Sequence, residues 1–170
     1  HNQLTVVYGE RGAGKSALIL EAARYLRQRN RFPHGIFCCS LEGLKMMKAV
    51  RTRLGTTLNL PARSASDLYD LMARYSSCLL ILDRCEDMIR QRRAPFIWFL
   101  SQLLQQSSVK VVISSQTNYL DELLRSASSA AASFSCSAFR ASSSAASSAS
   151  RAARSSSLAD CRAAFFSSSA

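Results

Sequence analysis

Short apolar runs alternate with helical periodicity along the first two-thirds of the chain. Leu4-Thr5-Val6-Val7-Tyr8 is β-branched and aromatic and reads as a buried strand. Ser16 to Arg27 is rich in helix formers, with Leu18, Ala22 and Leu26 at four-residue spacing. Asn30 to Gly35 is a turn-rich break, where His34 is expected as a solvated loop residue. Gly35 to Ser40 reads as a second strand and Leu44 to Leu54 as a helix, broken from Thr56 to Pro61. Ser64 or Ser66 can cap a helix to about Tyr75, with Leu68, Leu71 and Met72 at core spacing. Met46, Met47 and Met72 are expected as core filler. Cys78 to Asp83 is an apolar run ending in an acid. Ala94 to Gln106 is a strongly apolar helix with Pro95 in its first turn. Trp98 and the flanking Phe96 and Phe99 are expected in the core rather than as a base-stacking platform. Lys110 to Gln116 is a further strand, and Asn118 to Leu124 begins another helix. This alternation predicts an α/β fold with a parallel, doubly wound sheet.

The turn between the first strand and first helix carries the most specific chemistry. Gly9-Glu10-Arg11-Gly12-Ala13-Gly14-Lys15-Ser16 fits G-x-x-x-x-G-K-[ST], the Walker A phosphate loop. Phosphate oxygens need several N–H donors converging on one point. Successive backbone amides supply them, and glycines let the backbone come close. The helix that follows turns its positive end toward the anion. Lys15 is expected to reach the β- and γ-phosphates, with Ser16 as a Mg²⁺ ligand and Ala17 closing the binding segment.

Asp83 is the second such residue. In open α/β sheets ligands bind at the carboxyl ends of the strands, and this strand is polar only there. Asp83 is therefore expected to hold Mg²⁺, directly or through water, opposite the phosphate loop.

At 170 residues the chain is long enough for one domain with a proper core. No run of about 18 apolar residues appears, so no transmembrane span is expected. The chain opens directly on a strand without a visible signal peptide, and residues are expected upstream. Its six cysteines form no C-x-x-C pair, and Cys38, Cys39 and Cys78 fall in predicted strands. Buried reduced thiols in the cytosol or nucleus are the expectation. The net charge of +11 comes mostly from scattered Arg, which solvated helix faces and helix C-termini explain. Nucleic-acid binding is not the expectation from that pattern.

Residues 126 to 170 change character, with about three-quarters Ser or Ala. Such a composition buries too little apolar surface to fold alone. It fits either a genuine Ser/Ala-rich segment folded on the core or a stretch whose small side chains stand in for others. The second is the expectation, and no site is assigned there. The core is thus placed at 1–125 and the tail at 126–170.

With these motifs placed, the chain resembles the nucleotide-binding domain of STAND-class P-loop ATPases, which include the NB-ARC and apoptotic ATPases. GERGAGKSAL, RFPHGIFCCSLEGL, LLILDRCEDM and VKVVISSQ carry the resemblance, over roughly residues 4 to 125. Leu158 to Phe166 is faintly similar to a helix of the small helical subdomain that follows the core in that family. The resemblance implies a five-stranded parallel sheet with flanking helices, the start of that subdomain, and a sensor strand (Ser114, Ser115, Gln116) between the phosphate-loop and Walker B strands. It implies ATP/ADP and Mg²⁺ as cofactors. It also implies slow hydrolysis as a signalling switch, homo-oligomerisation in the ATP state, and flanking domains of the same protein as partners.

Two departures bear on turnover. Arg84 stands where many relatives have a second acid, which leaves Glu86 as the candidate for orienting water. Gln116 stands where the family has a sensor Arg and brings no charge. Lys15, Asp83 and Glu86 are accordingly the expected catalytic residues, with weak hydrolysis and retained binding. The alternatives are an AAA+-like ATPase acting on DNA and a nucleotide-binding scaffold without turnover.

Overall fold

The computed structural model describes residues 3–59, 65–75, 77–118 and 136–140. Strands β1 (Leu4–Tyr8), β2 (Ile36–Ser40), β3 (Leu79–Asp83), β4 (Lys110–Ser115) and β5 (Cys136–Arg140) form one parallel sheet in the order β2-β3-β4-β1-β5. Helices α1 (Lys15–Gln28), α2 (Met47–Thr57), α3 (Ala65–Arg74) and α4 (Glu86–Gln106) connect them. The sheet is five-stranded as the resemblance implied, with β4 between β1 and β3. Its fifth strand lies beyond the boundary expected at 125. Cys136 to Arg140 pairs in parallel with β1, so the sheet draws on the segment expected to lead away from it. The helix expected at Asn118–Leu124, the small helical subdomain and Leu158–Phe166 fall outside the described residues apart from Asn118.

Strand side chains alternate between faces, and the core divides accordingly. Leu4, Val6, Leu80, Leu82, Val111 and Ile113 join the larger cluster with α2, α3 and α4. Val7, Ile36, Leu79 and Ile81 join a smaller one with Ile19 and Ala23 of α1. Both faces of the sheet are therefore covered, as a parallel sheet requires. The buried stripe of α1 is Lys15, Ile19 and Ala23. This is one position on from the stripe expected through Leu18, Ala22 and Leu26, and Ala22 is exposed. A helix advances about 100° per residue, so the one-residue offset turns Ala22 outward.

Helix α4 begins eight residues before the expected start, at Glu86. It kinks at Arg92, whose φ of −137° and ψ of 46° are not helical. Pro95 explains the break: it lacks an N–H, and its ring crowds the carbonyl four residues back. Past the kink, Phe96, Phe99, Leu100, Leu103 and Leu104 are buried.

Trp98, expected in the core, is 59% exposed. Its neighbours take up the inward directions, and the 100° step turns the indole outward. Met46 is likewise exposed, because it precedes α2 in extended backbone, whereas Met72 is buried. The helix at α3 starts at Ala65, which places Ser66 inside it rather than at its cap; Ser64 is outside the described residues. His34 is a loop residue whose Nδ1 accepts from the Ser77 N–H at 3.2 Å. Cys39, Cys78 and Cys85 are buried and Cys38 half-buried, all four as free thiols. Among the described residues no helix is long and apolar enough to cross a membrane.

Adjacent α4 residues should respond in opposite ways to truncation. Phe99 is 1% exposed and packs against Tyr69, with ring centroids 5.8 Å apart. Phe99→Ala should cost about 3–5 kcal/mol in urea denaturation, whereas Trp98→Ala should stay within roughly 0.5 kcal/mol. Equal losses would contradict this placement of α4.

Candidate functional site

All strands point the same way, so their carboxyl ends gather at one edge of the sheet. The register pairs Tyr8 with Ser115, Leu82 with Ile113 and Ser40 with Asp83. The phosphate loop leaves that edge from β1. Gly12 and Gly14 have φ of +85° and +79°, a region that penalises any Cβ. At Gly12 open space surrounds the position a Cβ would take, so conformation rather than room demands glycine. Gly14 is the N-cap of α1, and the first turn of that helix carries no acid. The positive end of the helix therefore faces the loop uncompensated from within its own first turn.

Lys15 is the first helical residue and only 8% exposed. Its Nζ donates to the carbonyls of Gly9 and Glu10, each at 2.9 Å. The ammonium is thus folded back along the loop that its own helix terminates. Ser16 Oγ donates to Asp83 at 2.8 Å from Oδ2 and 3.0 Å from Oδ1. The two motifs, 67 residues apart in sequence, meet in this one contact.

Asp83 is 3% exposed, and its buried oxygens need partners. Ser114 Oγ also donates to Oδ1. The same Ser114 Oγ accepts the Arg84 N–H at 2.8 Å, and the Ser114 carbonyl accepts the Cys85 N–H at 3.2 Å. Cys85 lies behind this edge, where burial first, and then Glu86, Asp83 and Cys39, push its thiol well above the usual range. It stays protonated and donates to the Leu82 carbonyl at 3.3 Å, so no thiolate competes for the site.

Lys15, Ser16, Arg84 and Ser114 line a cleft of about 600 Å³, whereas Gly9 and Asp83 do not line it, and Asp83 reaches its wall through Ser16 and Ser114. Of the residues singled out in the sequence, Arg11, Gly12, Gly14, Lys15, Ser16 and Ala17 line it, as do Glu86, Ser114 and Gln116. Glu86 enters from the first turn of α4. Ser115 does not contribute its hydroxyl, which donates to the Thr117 carbonyl, while its own carbonyl accepts the Gly9 N–H at 3.3 Å. Glu10 contributes a carbonyl rather than its carboxylate. Ala13 packs against the smaller core cluster, and its N–H closes a turn onto the Glu10 carbonyl at 3.2 Å.

Sequence reasoning missed Glu42, Asp87 and Arg90, which also line the cleft, and the cleft position of Arg84. Glu42 follows the end of β2, at the carboxyl edge of the sheet. Asp87 accepts the Gly43 N–H at 3.2 Å and ties α4 to the loop after β2. Arg84 Nη1 donates to Glu42 Oε2, and its Nε lies 3.9 Å from Asp83 Oδ2.

The donor set fits a magnesium-bound polyphosphate. Mg²⁺ takes one or two carboxylates and completes its shell with phosphate and water, and Ser16 with Asp83 presents oxygens of that kind. Among the described residues no three His, Cys, Asp or Glu side chains cluster as a metal centre of their own. A phosphate chain would find the Lys15 ammonium, the α1 N-terminus and the conformationally special glycines on one wall.

No family model matches the chain, and no curated protein matches it. Solved structures do resemble it in fold. A chain of Drosophila ORC bound to DNA superposes with a TM-score of 0.61 at 13% identity, covering 83% of this chain and 38% of that one. A chain from Drosophila ORC bound to GC-rich DNA and Cdc6 gives 0.53 at 15% identity, covering 99% of this chain and 59% of that one. A Walker-type ATPase of Pyrococcus abyssi gives 0.51 at 14% identity, covering 82% and 49%. The chain thus spans between 38% and 59% of the lengths of these structures. At these identities the likeness establishes the fold alone, a parallel α/β sheet with flanking helices. It does not single out the STAND class to which the sequence motifs were compared.

Lys15→Ala removes the ammonium that donates to the Gly9 and Glu10 carbonyls of the loop. Charge-assisted bonds are strong in such a position, so ATP and ADP affinity should each fall about tenfold or more, roughly 1.4 kcal/mol. Calorimetry showing unchanged affinity would remove the phosphate loop from the site.

Proposed function

We propose that the chain is an ATP- and ADP-binding domain that holds its nucleotide with Mg²⁺, hydrolyses it slowly, and serves as a nucleotide-dependent switch in a longer protein. The observation that carries this reading is the Ser16–Asp83 contact, in which Ser16, like Lys15, lines the cleft. Lys15 and the loop amides bind the phosphates. Ser16 and Asp83 hold the cation, which when bound neutralises charge developing on the phosphoryl group. Glu86 orients water from the first turn of α4. Gln116 offers the phosphates a hydrogen bond without charge.

The fold likeness lends more support to an AAA+-like use than to a STAND-type signalling assembly, which rests on motif resemblance alone. It also reopens nucleic acid as a partner. Two of the similar chains belong to DNA-bound structures, and this sequence carries a net charge of +11. An AAA+-like domain acting on DNA is therefore the second reading. Assembly of copies in the ATP state belongs to either.

Turnover separates a switch from a motor. With Arg84 where a second acid would stand to activate water, the isolated chain should hydrolyse ATP well below roughly 1 s⁻¹. Glu86→Gln should slow it further while leaving nucleotide affinity intact. Fast hydrolysis by the monomer, indifferent to Glu86, would refute the switch.

DNA binding tests the second reading directly. If it holds, affinity for duplex DNA should fall linearly with salt on logarithmic axes, with a slope set by the phosphates neutralised. Fluorescence anisotropy from 50 to 200 mM salt reads this, and no binding at the low end removes DNA as a partner.

A further inference from the structure

Directly after Asp83 the chain turns through Arg84 with φ of +57°, a left-handed conformation that a side-chain-bearing residue enters at a cost. The turn is fixed by Ser114. Its hydroxyl accepts the Arg84 N–H at 2.8 Å, and its carbonyl accepts the Cys85 N–H at 3.2 Å. Arg84 lines the cleft, with its side chain partly open to solvent. There it stands between two carboxylates, paired with Glu42 and 3.9 Å from Asp83 Oδ2.

We propose that Arg84 reads the terminal phosphate of the bound nucleotide in cis, with Glu42 as the carboxylate that competes for it. The proposal rests on the nucleotide reading above and deepens it. Three observations support it.

The first is charge. Gln116 lines the cleft but cannot neutralise a γ-phosphate, whereas a guanidinium is permanently cationic and matches phosphate oxygens in a planar fork.

The second is competition. The Arg84 and Glu42 side chains are 44% and 59% exposed, so their pairing is screened by water and weak. A multiply charged phosphate flanked by Lys15 outcompetes such a partner.

The third is position. Arg11 and Arg90 also line the cleft, but Arg11 belongs to the phosphate loop and Arg90 lies a turn into α4, and neither is paired with Asp83 as Arg84 is. Arg84 directly follows Asp83. Asp83 would share its carboxylate between Arg84 and a cation held with Ser16, which would leave the guanidinium less firmly held by Asp83 and freer to meet a phosphate.

Lys15 serves both nucleotides through the β-phosphate, which both carry. Arg84 should instead discriminate between them. The test is titration calorimetry of Mg-ATP and Mg-ADP against wild type, Arg84→Ala and Glu42→Gln. Arg84→Ala should weaken ATP about tenfold, roughly 1.4 kcal/mol, and leave ADP within about twofold. Glu42→Gln releases the guanidinium and should tighten ATP several-fold, again sparing ADP. If Arg84→Ala does not fold, Arg84→Gln carries the same expectation, since it keeps hydrogen bonding without charge. Equal losses for the two nucleotides, or no loss for either, overturn the inference while leaving the nucleotide site in place. A wild-type chain that binds neither nucleotide overturns the proposed function and this inference with it.

Discussion

The structure depends on satisfying one buried carboxylate. Asp83 is 3% exposed at the carboxyl edge of the central strands, where an unpartnered anion would be costly. Ser16 and Ser114 both donate to it, from positions 67 and 31 residues away. Each donor fixes an element. Ser16 brings the start of α1 to the end of β3, and Ser114 brings the end of β4 alongside. The chemistry that qualifies these groups for a metal-bound phosphate is the same chemistry that holds the edge together.

The strand order makes this meeting possible. The chain leaves β1, skips two positions to build β2, and returns through β3 and β4 to lie beside β1 again. The phosphate loop thereby faces β3 across β4 at one edge. Both sheet faces are apolar and covered, so water reaches the backbone chiefly at the strand ends. Polar residues consequently collect there: Ser40, Asp83, Ser114 and Ser115 end their strands.

Most of this was legible in the sequence, for identifiable reasons. Four strands announced themselves as β-branched or aliphatic runs, and Walker A specified a loop, its helix and the preceding strand together. The fifth strand was not legible. Cys136-Ser137-Ala138-Phe139-Arg140 has too little β-branched or aliphatic character to stand out in a Ser/Ala-rich stretch, and parallel pairing with β1 is a tertiary fact. Trp98 was misplaced because composition alone does not say which side of an apolar helix faces out. At the site, the phosphate loop and Asp83 were readable because their chemistry is tied to local spacing. Glu42, Asp87 and Arg90 were not. They converge on the cleft from different elements, and nothing in their spacing along the chain marks it.

Helix α4 shows how a break in regular structure reconciles two demands. Its first turns carry Glu86, Asp87 and Arg90 to the cleft, and Asp87 is tied to the Gly43 N–H. Its later turns bury Phe96, Phe99 and Leu100 against the sheet. A close-packed core tolerates little rotation of a helix that carries such large side chains. In an unbroken helix that packing would also dictate where Glu86 points. The non-helical Arg92 separates the two segments, and Pro95 places the break between them. The core then packs the two segments separately, through Met88 and Ile89 before the break and Phe96, Phe99 and Leu100 after it. The site residues on α4 are set by the partners of Asp87 and Cys85 and by the burial of Met88 and Ile89, not by the aromatic packing a few residues further on.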